Sequence, residues 1–340
     1  MAWSWENDPA YQAIVKAFAG REPEEHTGGP LDVRTVIASI SRESKNAFAY
    51  DDIPWNRFPR GPETRDNVAL LRSDGPQVVY GGISGVHGEL AHSVWSMAAL
   101  AVPFLLRAAA DPRGHHRAYA LELAGGIVHW TPGPGRCTRT ELLRITDGAW
   151  RYETTGYFGT WGIEAARDAV AADAGLVMAL CDDPDPQVRA AAAYAAAIAS
   201  ERVDEIRSGL HTRFRIEANP AVRAGLILAI AQLSHEPRDP ACEAWSQALW
   251  SDPAMPPAVR VSAAMGWLYL TDTPVPDALH TVLETCATEE TARLMEPLPW
   301  MRAVDYDGGT ALRRCLRGLL HPEDPEPQWD DPWAAPPAAT

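Results

Sequence analysis

The stretch His87-Gly-Glu-Leu-Ala-His92 puts two imidazoles and a carboxylate within six residues, the types a zincin-like metal site would use. Such a site needs two histidines four apart, so that both project from one helical face. His87 and His92 are five apart, which turns them by about 140° around a helix. They reach one metal only if Gly85 and Gly88 hold the first turn open. The spacing points to polar residues at a helix start, with Glu89 complementing the positive helix end; no metal and no cofactor is expected. Asp51, Asp52 and Tyr157 join His87, Glu89 and His92 as candidates for catalysis. Trp55, Arg57, Trp95, Trp130, Arg144, Trp150, Arg151 and Trp161 are candidates for binding, because indole faces and guanidinium groups can stack on a base or grip an anion.

Most of these residues fall in two stretches without helical period. Residues 44–62 bring together Phe48, Tyr50, Trp55, Phe58, two adjacent acids and three prolines. Residues 131–160 carry Trp150, Tyr152, Tyr157 and Phe158 among arginines. Either insertion can cover the end of a fold or form a pocket wall. From Arg113 to Arg151 six arginines face three acids, a positive island in a chain of formal net charge −15. The overall charge opposes a protein built to neutralise phosphates. No Gly-x-Ser-x-Gly elbow, P-loop or dinucleotide fingerprint is present, and GGISGVHG lacks the strand and the lysine of a phosphate loop. The 5 cysteines are widely spaced with no C-x-x-C pair, which suits buried thiols in a reducing cytoplasm. The N-terminus does not read as a signal peptide, and no segment reaches the length of a membrane span.

The elements that must position these groups are helices. Residues 1–20 read as a first helix, LDVRTVIASIS as a second, and Glu63–Arg72 as a third. HGELAHSVWSMAALAVPFLLRAAADP reads as two helices broken before Pro103. EPLPWMRAVDYDGG reads as a loop with an exposed Trp300. ALRRCLRGLL is a final helix, and residues 321–340 form an acidic, proline-rich, disordered tail. One pattern recurs. DDPDPQVRAAAAYAAAIAS, EANPAVRAGLILAIAQLS and SDPAMPPAVRVSAAMGWLYL share a Val-Arg pair that puts Arg189, Arg223 and Arg260 in one column, in steps of 34 and 37 residues, with Arg117 two periods earlier. A period in that range belongs to helical repeats. In the second copy Val222, Leu226, Ile230 and Leu233 give one apolar face.

The D-P-x-V-R type signature resembles that of HEAT-repeat proteins, of the PBS-lyase type, and Ala-Val-Pro-Phe-Leu at 101–105 is similar to a junction in actinobacterial members. The resemblance is specific over about residues 160–290. It implies an all-α solenoid of antiparallel helix pairs, one array over 1–320 interrupted at 44–62 and 131–160. It also implies that Asp185, Arg189, Arg223, Asp252 and Arg260 tie neighbouring repeats together. The function expected from it is a cytoplasmic scaffold that binds a protein or peptide partner on a concave surface. Two alternatives stay open: a small-molecule or lyase-like enzyme with a pocket between the aromatic insertions, and a HEAT-like DNA glycosylase or nucleic-acid binder.

Overall fold

Every regular element among the described residues is a helix, and the one isolated β-bridge pairs His129 with Ile145. The computed structural model describes residues 31–91, 94–129, 139, 141–146, 153, 155–304 and 311–321. The proposed first helix, residues 322–340 of the tail, and His92, Trp130, Trp150 and Arg151 lie outside the described residues. The chain divides into two compact units, Met1–Val128 with Thr146–Asp173, and His129–Ile145 with Ala174–Thr340.

Unit 1 is built around a helix that meets almost no water. It contains α1 (Val33–Ser39), α2 (Arg42–Ala47), short 3-10 turns at Tyr50–Asp52 and Trp55–Arg57, α3 (Gly61–Leu70), α4 (Pro76–Ala91), α5 (Trp95–Ala110), α6 (Arg117–Gly126) and α7 (Gly159–Ala172). Residues Ser96 to Ala109 of α5 are all buried, and α5 packs against α1 to α4, α6 and α7. Proline 103 does not break it: the helix runs through, and the interruption predicted there lies instead between α4 and α5. Proline removes one backbone donor and crowds the preceding turn, but burial on every side of α5 outweighs that local cost. The glycine-rich residues before His87 are helix as well, so the helix start expected at His87 lies upstream, at Pro76. Two of the glycines, Gly82 and Gly85, are contact points with Asn67: a Cβ at Gly82 would stand 2.7 Å from the Asn67 carbonyl oxygen, so α4 rides directly on the backbone of α3.

The 44–62 insertion is a packed cover. Ile53, Trp55 and Phe58 are buried, the Trp55 indole donates to the Tyr50 carbonyl at 2.6 Å, and the rings of Phe48 and Tyr50 lie 5.6 and 6.4 Å from Phe104 of α5. Beneath it, Arg107 of α5 grips Asp173 with both terminal nitrogens (Nη2 at 2.7 Å), and Lys45 Nζ stands 3.5 Å from the same carboxylate. Burial opposes ionisation of Asp173, but the two cations outweigh it and hold its carboxyl below the ordinary range.

Unit 2 contains α8 (Ala174–Leu180), α9 (Pro186–Ala196), α10 (Val203–Ile216), α11 (Pro220–His235), α12 (Pro240–Ser251), α13 (Pro257–Leu270), α14 (Asp277–Cys286), α15 (Glu289–Met295), α16 (Pro299–Val304) and α17 (Ala311–Leu320). Its starts follow a rule: Asp185, Asn219 and Asp239 are N-caps whose side chains accept from an amide two residues on, and the proline that follows each is the first helical residue. The prolines therefore open these helices more than they close the preceding ones. The three repeat copies supply α9, α11 and α13; α9 packs on α11 and α11 on α13, with α10 and α12 along one side. The other side is covered too. α15 packs on α11 and α13, α16 on α9, and Leu298 and Trp300 press against Gly225 of α11. Hence α11 has no single apolar stripe: Val222 and Ala224 to Ser234 are all buried. Trp300, expected on an exposed loop, is 1% exposed on α16. Trp250 and Trp267 meet edge to face at 6.1 Å.

Candidate functional site

Among the described residues singled out for chemistry in unit 1, Tyr157 and Trp161 meet edge to face at 5.9 Å between ring centroids, and the others are spread over α4, the 3-10 turns and the start of α5. His87 is exposed on α4, with Nδ1 3.1 Å from the Tyr119 hydroxyl, while Glu89, two residues on, is buried and 2.9 Å from Arg60 Nε. A step of two residues turns nearly half-way round a helix, so His87 and Glu89 stand on opposite sides of α4 instead of sharing one face. Gly85 and Gly88 lie inside that helix and cannot hold a turn open. Asp51 and Asp52 are exposed, and Asp51 pairs with Arg65. Trp55 is core, Arg57 ends the second 3-10 turn and Trp95 begins α5. Trp161 is half-buried on α7, with the Arg34 guanidinium 5.2 Å from its ring.

Tyr157 is a clasp. Its hydroxyl accepts from the Val33 amide at 2.9 Å and donates to the Leu31 carbonyl, and burial drives its pKa above the ordinary value. Phe58 meets it edge-on at 5.9 Å, so where described parts of the two aromatic insertions touch they form packed rings. Glu153, not foreseen from the sequence, caps α5 from another part of the chain. Its carboxylate accepts from the Ser96 amide, from the Ser96 hydroxyl at 3.0 Å and from Thr155 at 3.1 Å, where Val94 supplies no side-chain cap. Burial raises its pKa to about 7, against the pull of these donors.

In unit 2 the arginine column is engaged, but not uniformly. Arg189 chelates Glu217 (Nε–Oε2 2.8 Å, Nη2–Oε1 3.0 Å) and its Nη1 donates to the carbonyls of Asp183 and Pro184. Arg213 also donates to Glu217 at 2.7 Å, and to Asp182 at 3.0 Å. Burial alone would raise the Glu217 carboxyl, yet Arg189, the Asn219 amide and Arg213 together hold it at about 2. Arg260 Nε donates to the Trp250 carbonyl at 3.1 Å, and Arg117 Nε, in unit 1, to the Ala109 carbonyl at 2.7 Å; both serve the carbonyl end of the preceding helix. Arg223 has neither arrangement. Its guanidinium lies 4.6 Å from the Phe214 ring centroid and its Nη2 is 3.6 Å from Met255 Sδ. Phe214 meets Trp245 at 5.3 Å, and His211 meets Trp245 at 4.6 Å. Asp185 and Asp252, the acids of the signature, accept from Gln187 and Ala254 amides within their own turns.

Two arginines of the positive island, Arg117 and Arg139, bond backbone carbonyls. Arg139 donates to the carbonyls of Leu319 (3.1 Å) and Thr273 (2.9 Å). Arg144 follows Leu143, whose carbonyl accepts from Tyr269 at 3.1 Å. At the centre of unit 2 a buried network closes on itself: Trp300 donates to Gln232 Oε1 at 3.0 Å, and Gln232 Nε2 donates to the Ala197 carbonyl at 3.0 Å and to His129 Nε2 at 3.1 Å. That orientation makes His129 Nε2 an acceptor, so the imidazole is neutral; burial lowers its pKa to about 3.

Among the described residues no group of three or more His, Cys, Asp or Glu is placed to hold a metal ion, and no helix is long and apolar enough to cross a membrane. Cys181, Cys242, Cys286 and Cys315 are buried free thiols. No protein-family model, curated protein or solved structure matches the chain.

Proposed function

We propose that the chain is a HEAT-like helical-repeat scaffold that binds a protein or peptide partner. The observation that carries this reading is the stacking of α9, α11 and α13, whose shared arginines each bond a backbone carbonyl or a residue of a neighbouring turn. Stacked units of this kind bury a continuous core and leave a long outer surface for partners. In unit 2 the partner's place is not the inner side of α11, where the resemblance implies it, because α15 and α16 cover that side. It lies on the half-exposed helices α10 and α12. In unit 1 the matching feature is a run of rings across α4 and α6: Tyr80, 45% exposed, stands 5.5 Å from His116 and 5.8 Å from Tyr119, which contacts His87. Tyrosine-rich surface of this sort makes contact area at small entropic cost.

The test is affinity capture with cross-linking, using the full chain and two surface variants, Tyr80→Ala and Ile216→Asp. A partner retained by the parent chain and lost by at least one variant is the expected result. Capture that is the same for all three chains overturns the reading.

A further inference from the structure

The three copies of the repeat do not treat their shared arginine alike. Two residues before each N-cap the chain carries Asp183, then Glu217, then Ala254. Arg189 of the first copy reaches forward to the acid of the second and forms a two-pronged ion pair with Glu217. Arg223 of the second copy reaches forward to the third and meets Met255. The nearest acid in that turn, Asp252, bends back onto the Ala254 amide at 2.9 Å. No carboxylate among the described residues pairs with Arg223, and its Nε is buried without an acceptor. A thioether is a weak acceptor, and a part-buried guanidinium lacking its anion is a costly arrangement. Around it stand an aromatic face, Phe214, the half-exposed Trp245, and Met255. Ile216, two positions beyond Phe214, is 67% exposed at the end of α10.

We propose that this is a docking site for an acidic peptide segment of a partner protein. A partner Asp or Glu carboxylate displaces the Met255 thioether from Arg223 and pairs with the guanidinium as Glu217 pairs with Arg189, while an apolar residue beside it packs on Trp245. The occupant is argued from complementarity: the same fold, one repeat earlier, fills the equivalent position with its own carboxylate. This rests on the scaffold reading above and gives it a partner chemistry.

Two measurements on the full chain test it. In Met255→Glu the carboxyl carbon occupies the side-chain position of Sδ, so the chain supplies the anion itself. Its thermal unfolding midpoint is expected to rise by about 2 °C or more, and the gain should vanish in an Arg223→Met background. No rise, or an equal rise in both backgrounds, overturns the proposal. The second measurement selects from a displayed library of random heptapeptides. The parent chain is expected to enrich peptides that pair Asp or Glu with an apolar neighbour. Both Met255→Glu, which keeps Arg223, and Arg223→Met should weaken their binding at least about tenfold. Enriched peptides without an acid, or acidic peptides bound equally by both variants, overturn the acidic-segment proposal and leave the scaffold reading standing; no enrichment of any peptide overturns both.

Discussion

An added methyl group separates glycines that look alike in the sequence. A Cβ at Gly61 would lie 1.7 Å from the Trp55 carbonyl oxygen, a collision with backbone that only a shift of the 3-10 turn or of α3 relieves. Gly61→Ala is expected to cost roughly 3 kcal/mol or more, read as a lower denaturant midpoint. A Cβ at Gly88 meets nothing within 4 Å, and the residue lies inside α4. Gly88→Ala should therefore stabilise by about 0.5–1 kcal/mol in the same assay. His129 sets a second contrast. Its pKa is about 3 folded against an ordinary 6.5, so the unfolded chain binds the extra proton and stability falls as pH drops below about 6.5. By pH 4.5 this loss amounts to about 3 kcal/mol, and His129→Gln is expected to flatten the slope of unfolding free energy against pH over that window. An unchanged slope would place the acid sensitivity elsewhere. Little of this was legible: the type of His129 is visible, but its burial depends on Gln232 and Trp300, far away in the chain. The candidate site shows the same limit. Arg223 belongs to a visible column, and what sets it apart is the alanine at 254, a signal that has meaning only once Arg189 is seen to hold Glu217.

At the scale of the element, the helix starts marked by Asp-Pro or Asn-Pro in unit 2 were readable, whereas the start of α4, expected at His87 and found at Pro76, and the helix lengths were not. Asp-Pro and Asn-Pro pairs mark caps because a short polar side chain satisfies an orphan amide while proline presets the first turn. The run through Pro103 and the glycines of α4 was misjudged because local propensity was set against burial that only the assembled fold supplies. The tie between repeats is testable at this scale. Glu217 is buried and held at about 2, so its pairing with Arg189 contributes stability that is present above pH 4.5 and lost as the pH falls towards 2. Glu217→Gln leaves Arg189 with a neutral acceptor and is expected to cost about 3 kcal/mol at pH 7, an effect that should shrink on acidification below pH 4.5. A cost that is constant with pH would mean the loss comes from packing alone.

For the whole molecule, the helical class could be read from the text, whereas the division into two units could not. No shift in composition marks Asp173–Ala174, and the units interleave: residues 129–145 belong with the part that follows residue 173, and 146–173 with the part that precedes residue 129. A fragment that starts at Ala174 lacks His129 and the buried Leu142 and Leu143. Such a fragment is expected to lose cooperative thermal unfolding, and to regain it when a synthetic peptide of residues 129–145 is added. A fragment that unfolds cooperatively without the peptide would show that residues 129–145 are dispensable to unit 2.

That crossing of the chain also orders events on the ribosome. Unit 1 can complete itself as soon as Asp173 has emerged, since Glu153 and Tyr157 have then reached their partners on α5 and before α1. His129 leaves the exit tunnel earlier, yet it must wait for Gln232 and then for Trp300, both made much later. Nascent chains arrested between these points should hold a finished unit 1 while His129, Leu142 and Leu143 still lack the later residues that bury them, a clear invitation to a chaperone.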